Sequence, residues 1–460
     1  MNSNQNAQVM TEQNLSPQSA AKVLEFLLKN GEKKAALRLA EVVTESFPNE
    51  PFAHFLLYQA QIHSNLFTEA AESIRRASVM APEETKFYVH YSRALHAIGR
   101  ADESESLLRR ELRHRPDWNE AWFELARSLG LQGKYDEAEK ILYGLLARAP
   151  DNAFCKHQLA WYLMHQGDLR KGQEFSVGLR DVHTWGARSL NLSRPIWDGK
   201  ECKGLRLCLI GEGGFGDEII GARFGKILQD RGARVSMVCK PEMLEVFRRV
   251  RFFDEVVSFA DFDKLQFDAW LPCLDACAIL GLDYADLPQE PFLSAHRYYQ
   301  KKWQKKLPKA SLRVGIRWQG SSEFEGEQMR RVPAELMFAW SQITGVQLFS
   351  LQKPLEGPLP KGIIDLGSDL ETWDDTLAVM SELDLVITMC SSVAHASAAL
   401  GRPTWVLAPL MPYYIWAEPG QKSSWYPTAR IFRQQRYRYW DEPCKEVAQA
   451  LSAMMKQRYR

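Results

Sequence analysis

Prolines fall at Pro48, Pro82, Pro116 and Pro150, each 34 positions after the last. A second series, Gly31, Asn65, Gly99, Gly133 and Gly167, keeps the same step, and so does a third made of small residues, Ala36, Ala70, Ser104, Ala138 and Gly172. Three series in register oblige the first third of the chain to build one small unit over and over. Each position has a physical reading. A glycine or asparagine ends a helix by entering the left-handed region. A small residue lets a second helix approach the first closely, and a proline stops that second helix. A helical hairpin of this size cannot bury its apolar face alone, so the units must stack on one another.

The unit from Asn119 to Pro150 is the clearest, with Trp122, Leu125, Ala126, Gly133, Tyr135 and Ala138 in place. In period and spacing the series resembles the tetratricopeptide repeat, over about four and a half units. The resemblance implies an all-α solenoid over residues 1–175 whose concave face docks a protein partner, often an extended peptide. Self-association or domain packing is the other use of such a scaffold.

The ruler breaks over 176–203, a linker or docking segment. Within it Pro195-Ile196-Trp197-Asp198-Gly199 reads as a turn with an aromatic plug, expected to fasten the solenoid to the next domain. Beyond it short apolar runs alternate with helical patterns: Leu205–Ile210, Arg234–Cys239, Ala269–Pro272, then Arg313–Arg317, Gln347–Leu351, Leu385–Thr388 and Thr404–Leu407. Apolar strands alternating with helices imply parallel sheets covered on both faces. The expected fold is therefore an all-α solenoid followed by a two-lobed α/β domain of twin Rossmann type. The first lobe spans 204–297 and the second 312–460. The lysine-rich stretch 298–311 is read as a solvated linker helix, and a closing helix from Glu442 to Met455 is expected to cross back to the first lobe.

Charge and cysteine usage narrow the partners. With 58 basic against 57 acidic side chains the net charge is +1, unlike a dedicated nucleic-acid binder. The eight cysteines are scattered and form no CxxC pair. They read as core thiols and point to the cytoplasm. Met1 to Gln18 is polar and lacks the apolar core of a signal peptide. Val386 to Pro412 is apolar but holds Arg402 and His395, so no membrane span is expected.

The first strand of the α/β region runs into Gly211-Glu212-Gly213-Gly214-Phe215-Gly216-Asp217-Glu218, which satisfies GxGxxG. A dinucleotide-dependent oxidoreductase is one reading. Against it, Asp217 and Glu218 stand where a pyrophosphate would meet the helix N-terminus. The second strand, moreover, ends Cys239-Lys240-Pro241 with no acid at hand for a ribose. The other reading makes Asp217 a proton acceptor, kept ionised by the helix end, with Gly214 and Gly216 letting an acceptor approach the backbone. A plain helix cap is the third.

Glu212 and Gly214-Phe215-Gly216-Asp217 resemble the acceptor-side loop of family-nine glycosyltransferases, the heptosyltransferase-like group, and more specifically their relatives fused to tetratricopeptide repeats. The resemblance continues through Phe267–Leu274, Val314–Gly320 and Arg330-Arg331-Val332-Pro333, and covers nearly all of residues 195–455. In architecture alone the chain is also similar to O-linked N-acetylglucosamine transferases. The resemblance implies that Asp217 is the general base and that a nucleotide sugar is the co-substrate; the solenoid ahead of the lobes favours a protein hydroxyl as acceptor, with bacterial flagellin or another surface protein suggested by analogy.

The donor is expected in the second lobe. Trp318-Gln319-Gly320-Ser321-Ser322 follows a strand and suits phosphate oxygens, and Arg330 with Arg331 could neutralise a leaving phosphate bidentately. Gln352 lies in the next strand-end loop. Ser391 and Ser392 stand where a strand ends and a helix begins, a good anion site. His395, one turn on, either faces the donor or is a hydrogen-bonded core histidine. Cys390 and Ser391 depart from the resembling family, which usually has aspartate then threonine there. That loss disfavours the heptose donor itself, fits a more acidic sugar or another nucleotide, and is the main support for a second hypothesis, a catalytically inactive scaffold. Asp261-Phe262-Asp263 is a DxD pattern away from any clear strand end, read as a surface coincidence. No metal and no bound cofactor are expected.

Overall fold

The computed structural model describes residues 15–182, 186–190, 192–321 and 327–458. The polar N-terminus up to residue 14 and Ser322 of the expected donor loop lie outside the described residues. The chain divides into two compact units, Met1–Asp151 and Asn152–Arg460.

In the first unit, helices pair as hairpins: Pro17–Lys29 with Lys33–Ser46, Pro51–His63 with Phe67–Met80, Thr85–Ala97 with Ala101–His114, and Asn119–Gly130 with Tyr135–Arg148. The sequence ruler is a ruler of backbone geometry. Gly31, Asn65, Gly99 and Gly133 all have φ between 64° and 77°. Each is followed by the same bond, from the next N–H back to the carbonyl five residues earlier: Glu32 to Leu27, Leu66 to Gln61, Arg100 to Leu95 and Lys134 to Leu129, all at 2.9 Å. These are Schellman caps, satisfying carbonyls that a helix end leaves open. Ala36, Ala70, Ser104 and Ala138 are fully buried.

One more hairpin on the same ruler, Ala153–His165 and Leu169–Val182, belongs to the second unit and carries the repeats past the expected end at about 175. Its turn residue Gly167 has φ 95°. A Cβ on Gly172 would lie 2.8 Å from the Ala160 carbonyl oxygen, which is why this position stays small. Ala160, Met164 and Leu169 share one buried cluster with Trp197 and the α/β lobes. The aromatic plug works by strand pairing. Ile196 bridges Trp270 in parallel, the Trp197 N–H donates to the Trp270 carbonyl at 2.8 Å, and the Trp270 N–H donates to the Pro195 carbonyl at 3.1 Å.

The rest of the second unit is built on two parallel sheets. The first contains β1 (Arg206–Ile210), β2 (Arg234–Cys239), β3 (Glu255–Ser258) and β4 (Ala269–Pro272) in the order β3-β2-β1-β4. The second contains β5 (Leu312–Arg317), β6 (Val346–Ser350), β7 (Ile363–Asp365), β8 (Leu385–Met389), β9 (Thr404–Ala408) and β10 (Ala429–Arg433) in the order β10-β9-β8-β5-β6-β7. Both are doubly wound Rossmann-type sheets, so the expected fold class holds. Strand order reverses between β1 and β4 in one lobe and between β5 and β8 in the other. In open parallel sheets, crevices form beyond the carboxyl ends of the strands at such switch points.

Two expectations about the lobes are corrected. The basic linker is a helix with Lys301, Lys305 and Lys306 exposed, but it is not free of the lobe: helix Arg297–Lys306 buries Trp303 against helix Trp373–Glu382, with Lys302 2.8 Å and Trp303 Nε1 2.9 Å from the buried Asp375 carboxylate. The closing helix Asp441–Arg458 stays on the second lobe, because Cys444, Val447, Leu451 and Met455 are buried with Leu312, Trp340 and Phe432 in that lobe's own core. The loop after β9 joins the lobes instead. Tyr414, Ile415, Trp416, Trp425 and Tyr426 are buried in one cluster with first-lobe residues such as Phe224. First-lobe Arg223, almost fully buried, donates to the Trp425 carbonyl at 2.6 Å and lies 4.2 Å from the Tyr426 ring centroid.

Candidate functional site

The two switch points meet. Helix Phe215–Ala222, which follows β1, packs on helix Ser392–Ala399, which follows β8. A Cβ on Gly216 would lie 3.1 Å from His395 Cδ2 and 3.5 Å from Ser392 Cα, so the two helices approach closely at this glycine.

Asp217 lies at this seam. Its Oδ2 accepts from the Gly214 N–H at 2.7 Å, and its Oδ1 accepts from the Tyr413 hydroxyl of the second lobe at 2.8 Å. The first bond is a cap: the carboxylate reaches back to the start of its own helix. The Gly214 amide is thereby used, which leaves a pyrophosphate one donor fewer in this cradle. Gly213 has φ 70°, and a Cβ there would lie 2.7 Å from Asp217 Oδ2, so the loop needs glycine on both counts.

The neighbouring acids do different work. Glu212, buried, accepts from the Ala187 N–H at 2.9 Å and the Leu274 N–H at 3.3 Å, fastening the loop to the segment before β1 and to the end of β4. Glu218 is completely buried beneath Gly211 and accepts from the Lys240 N–H at 3.0 Å. Burial pushes its carboxyl up to about 7, with nearby Lys240 opposing the shift. The Lys240 ammonium in turn bonds the Gly213 carbonyl. In the sequence Glu218 stands out only as a charge hostile to a dinucleotide; a carboxylate next to an apolar Ile219-Ile220 run is the signal that could have marked it as buried.

On the second lobe Arg330 spans the switch point. Its Nε donates to Glu327 Oε2 at 2.7 Å and its NH1 to the Cys390 carbonyl at 3.0 Å, so it links the loops after β5 and β8. Glu327, also buried, accepts from the Gly320 N–H at 2.5 Å. Arg331 does not join it. It is half exposed and 3.6 Å from Glu356, because successive residues leaving a helical turn point about 100° apart. A bidentate arginine pair is therefore not formed. Gln319 donates to Glu356 at 3.3 Å, and its own N–H is held by Gln352 Oε1 at 3.1 Å. Gln352, with its amide also on the Pro354 carbonyl at 3.2 Å, ties two strand-end loops together rather than offering a free side chain. Ser391 bonds Thr388 at 3.0 Å, and Ser392 opens the helix.

His395 is a core histidine. It is buried, 3.3 Å from the Tyr426 hydroxyl and stacked on Trp416 at 5.0 Å between centroids. Burial, with Arg223 and Arg330 adding to it, pushes its pKa down to about 3, so it is neutral. The donor-facing alternative is set aside. Burial likewise pushes the Cys390 thiol up to about 11. Asp261 of the DxD pattern pairs with Lys264 at 2.6 Å in a 3-10 turn. Tyr413, Glu327 and Arg223 carry no mark in the sequence. Tyr413 follows β9 in a loop with no motif, and its one signal is its place at a strand's carboxyl end.

Beside the seam, helix Ala153–His165 carries an aromatic stripe. Phe154 is 65% exposed, and the rings of His157, Trp161 and His165 follow at 6.4 and 6.0 Å between successive centroids. Among the described residues no helix is long and apolar enough to cross a membrane.

Comparison with known proteins gives the class first. Residues 91–153 match the tetratricopeptide repeat family. Over 296 residues the chain is 25% identical to Protein FlbA of Caulobacter vibrioides, covering 55% of this chain and 48% of that protein. The chain thus spans about half the length of this curated relative. Among solved structures it is similar to a glycosyl transferase family 9 protein from Veillonella parvula, at 12% identity and a TM-score of 0.40 over 55% of this chain and 91% of that one. It is also similar to the E. coli ADP-heptose lps heptosyltransferase II, at 14% identity and a TM-score of 0.40 over 56% and 100%.

Proposed function

We propose that this chain is a metal-independent glycosyltransferase that moves a sugar from a nucleotide-sugar donor to a hydroxyl of a protein acceptor. In this reading the donor occupies the crevice at the β5/β8 switch point, near Gln319, Arg330, Ser391 and Ser392. Asp217 takes the acceptor's hydroxyl proton. The acceptor oxygen's lone pair forms the bond to the anomeric carbon, and the bond from that carbon to the phosphate oxygen breaks with its electron pair on the nucleotide. Arg330 offsets the charge that develops there. The repeats hold the protein acceptor, for which flagellin or another surface protein is the candidate.

The observation that carries the reading is the meeting of the two switch points: a carboxylate from one and an arginine with helix N–H groups from the other stand on a single seam. A thermal-shift panel of cytidine, uridine, guanosine and adenosine phosphates tests it. One nucleotide should raise the melting temperature in step with the logarithm of its concentration. The shift should vanish in Arg330→Ala. No shift with any of them contradicts the donor site. A shift without turnover of the matching nucleotide sugars favours the inactive scaffold.

A further inference from the structure

We infer that Tyr413 is the positioning residue for Asp217, so that the carboxylate is aligned for proton transfer only by the docked second lobe. This rests on the reading of Asp217 as the base and adds a residue to it. A carboxylate held by one bond can still turn about its own axis. Here Oδ2 is fixed by the Gly214 amide at 2.7 Å, from its own loop, and Oδ1 by the Tyr413 hydroxyl at 2.8 Å, from the loop after β9 in the other lobe. Two bonds at two oxygens fix the plane of the group. The tyrosine is itself braced: its ring packs against Tyr414 at 4.7 Å between centroids, and its carbonyl accepts from the Trp416 N–H at 2.8 Å. Trp416 stacks on His395, which touches Gly216 of the Asp217 helix. The brace is thus anchored in the same seam it spans.

The phenol also acts on the proton. A hydrogen bond donated to the ionised form favours that form, so Tyr413 holds Asp217 less basic than it would otherwise be. Among the described residues, titratable or charged groups near Asp217 include Glu212, Glu218, Lys240 and Cys273 on the first lobe, and Cys390, His395 and Arg330 on the second. Removing the tyrosine hydroxyl deletes its bond to Asp217, and the ring of a phenylalanine keeps the packing on Tyr414.

The test uses the full chain with Tyr413→Phe, Asp217→Asn and the double variant. Nucleotide release is followed from whichever of UDP-, GDP-, ADP- and CMP-linked sugars turns over fastest, with water as acceptor if no other is used. Tyr413→Phe should lower kcat about tenfold, leave the donor KM unchanged, and move the acid limb of kcat upward. An unmoved acid limb and an unchanged kcat, with Asp217→Asn inactive, overturn the positioning role and leave Asp217's role standing. Full activity in Asp217→Asn overturns the reading beneath it. The melting temperatures of the native chain, Tyr413→Phe, Asp217→Ala and that double variant give a readout without any donor, because alanine, unlike an asparagine amide, cannot bond the phenol. Losses that fail to add at pH 7 support the bond, and strictly additive losses overturn it.

Discussion

Glu218 and Asp217 are adjacent in sequence and opposite in environment. Asp217 has two hydrogen bonds at the seam, whereas Glu218 is sealed under the glycine loop with its carboxyl pushed up to about 7 by burial. The consequence for stability has a definite sign. Between the unfolded value of 4.5 and about 7, the folded chain holds a proton that the unfolded chain has released. Stability from this group is therefore fully present below pH 4.5 and is lost as pH rises through 7, by about 3 kcal/mol. Glu218→Gln cannot titrate. Its melting temperature relative to the native chain should rise between pH 5 and pH 8, and a pH-independent difference would show that Glu218 is ionised throughout. Residue by residue, the site is partly legible in the sequence. Ser391 and Ser392 directly follow β8, and Asp217 lies in the first turn of the helix after β1, so apolar runs locate them; Arg330, on the short helix Glu327–Arg330 further along the loop after β5, is marked only by its charge. Arg331 and His395 cannot be resolved that way, because direction out of a helical turn and burial between two lobes are properties of the packed chain. Tyr413 is invisible because its contact, 196 residues away, leaves no local pattern.

At the scale of elements, legibility depends on how each is buried. The helical hairpins are visible because their caps demand particular residues at a fixed step. The central strands are visible because both faces are covered, giving runs such as Leu207–Ile210 with no polar break. The three strands not foreseen, β3, β7 and β10, are all sheet edges, where exposed positions such as Glu255 and Arg430 interrupt the apolar run. The closing helix packs on the second lobe rather than the first, which its sequence does not reveal, because an apolar face shows that a helix packs and not against which lobe. The caps give a direct test. Gly133 sits at φ 74°, so Gly133→Ala should destabilise its hairpin by about 1 kcal/mol. Asn65→Gly, at φ 64°, should be neutral or slightly stabilising. Denaturant melts of the two variants check this, and equal effects would mean that the left-handed caps carry no strain.

On the scale of the whole molecule, the two compact units divide at Asp151, and the proposed separation of recognition from chemistry is to be tested there rather than at residue 175. The hairpin Ala153–Val182 shares its core with Trp197 and the lobes, through Ala160, Met164 and Leu169. Removing residues 1–151 should leave a cooperative melt and intact nucleotide binding while abolishing modification of a protein acceptor. Removing 1–175 should expose that core and cause aggregation. Full-rate modification by the shorter chain would give the repeats some other task. The proposed chemistry rests on Asp217 taking the acceptor's proton, and the most direct measurement is the turnover of Asp217→Asn beside the native chain, with nucleotide affinity determined on both. The amide keeps the size and the bond to the Gly214 N–H but cannot accept a proton. The expected result is unchanged affinity with kcat lower by about 10²–10⁴. Turnover close to native would contradict the account and leave Asp217 as a helix cap that happens to face a tyrosine.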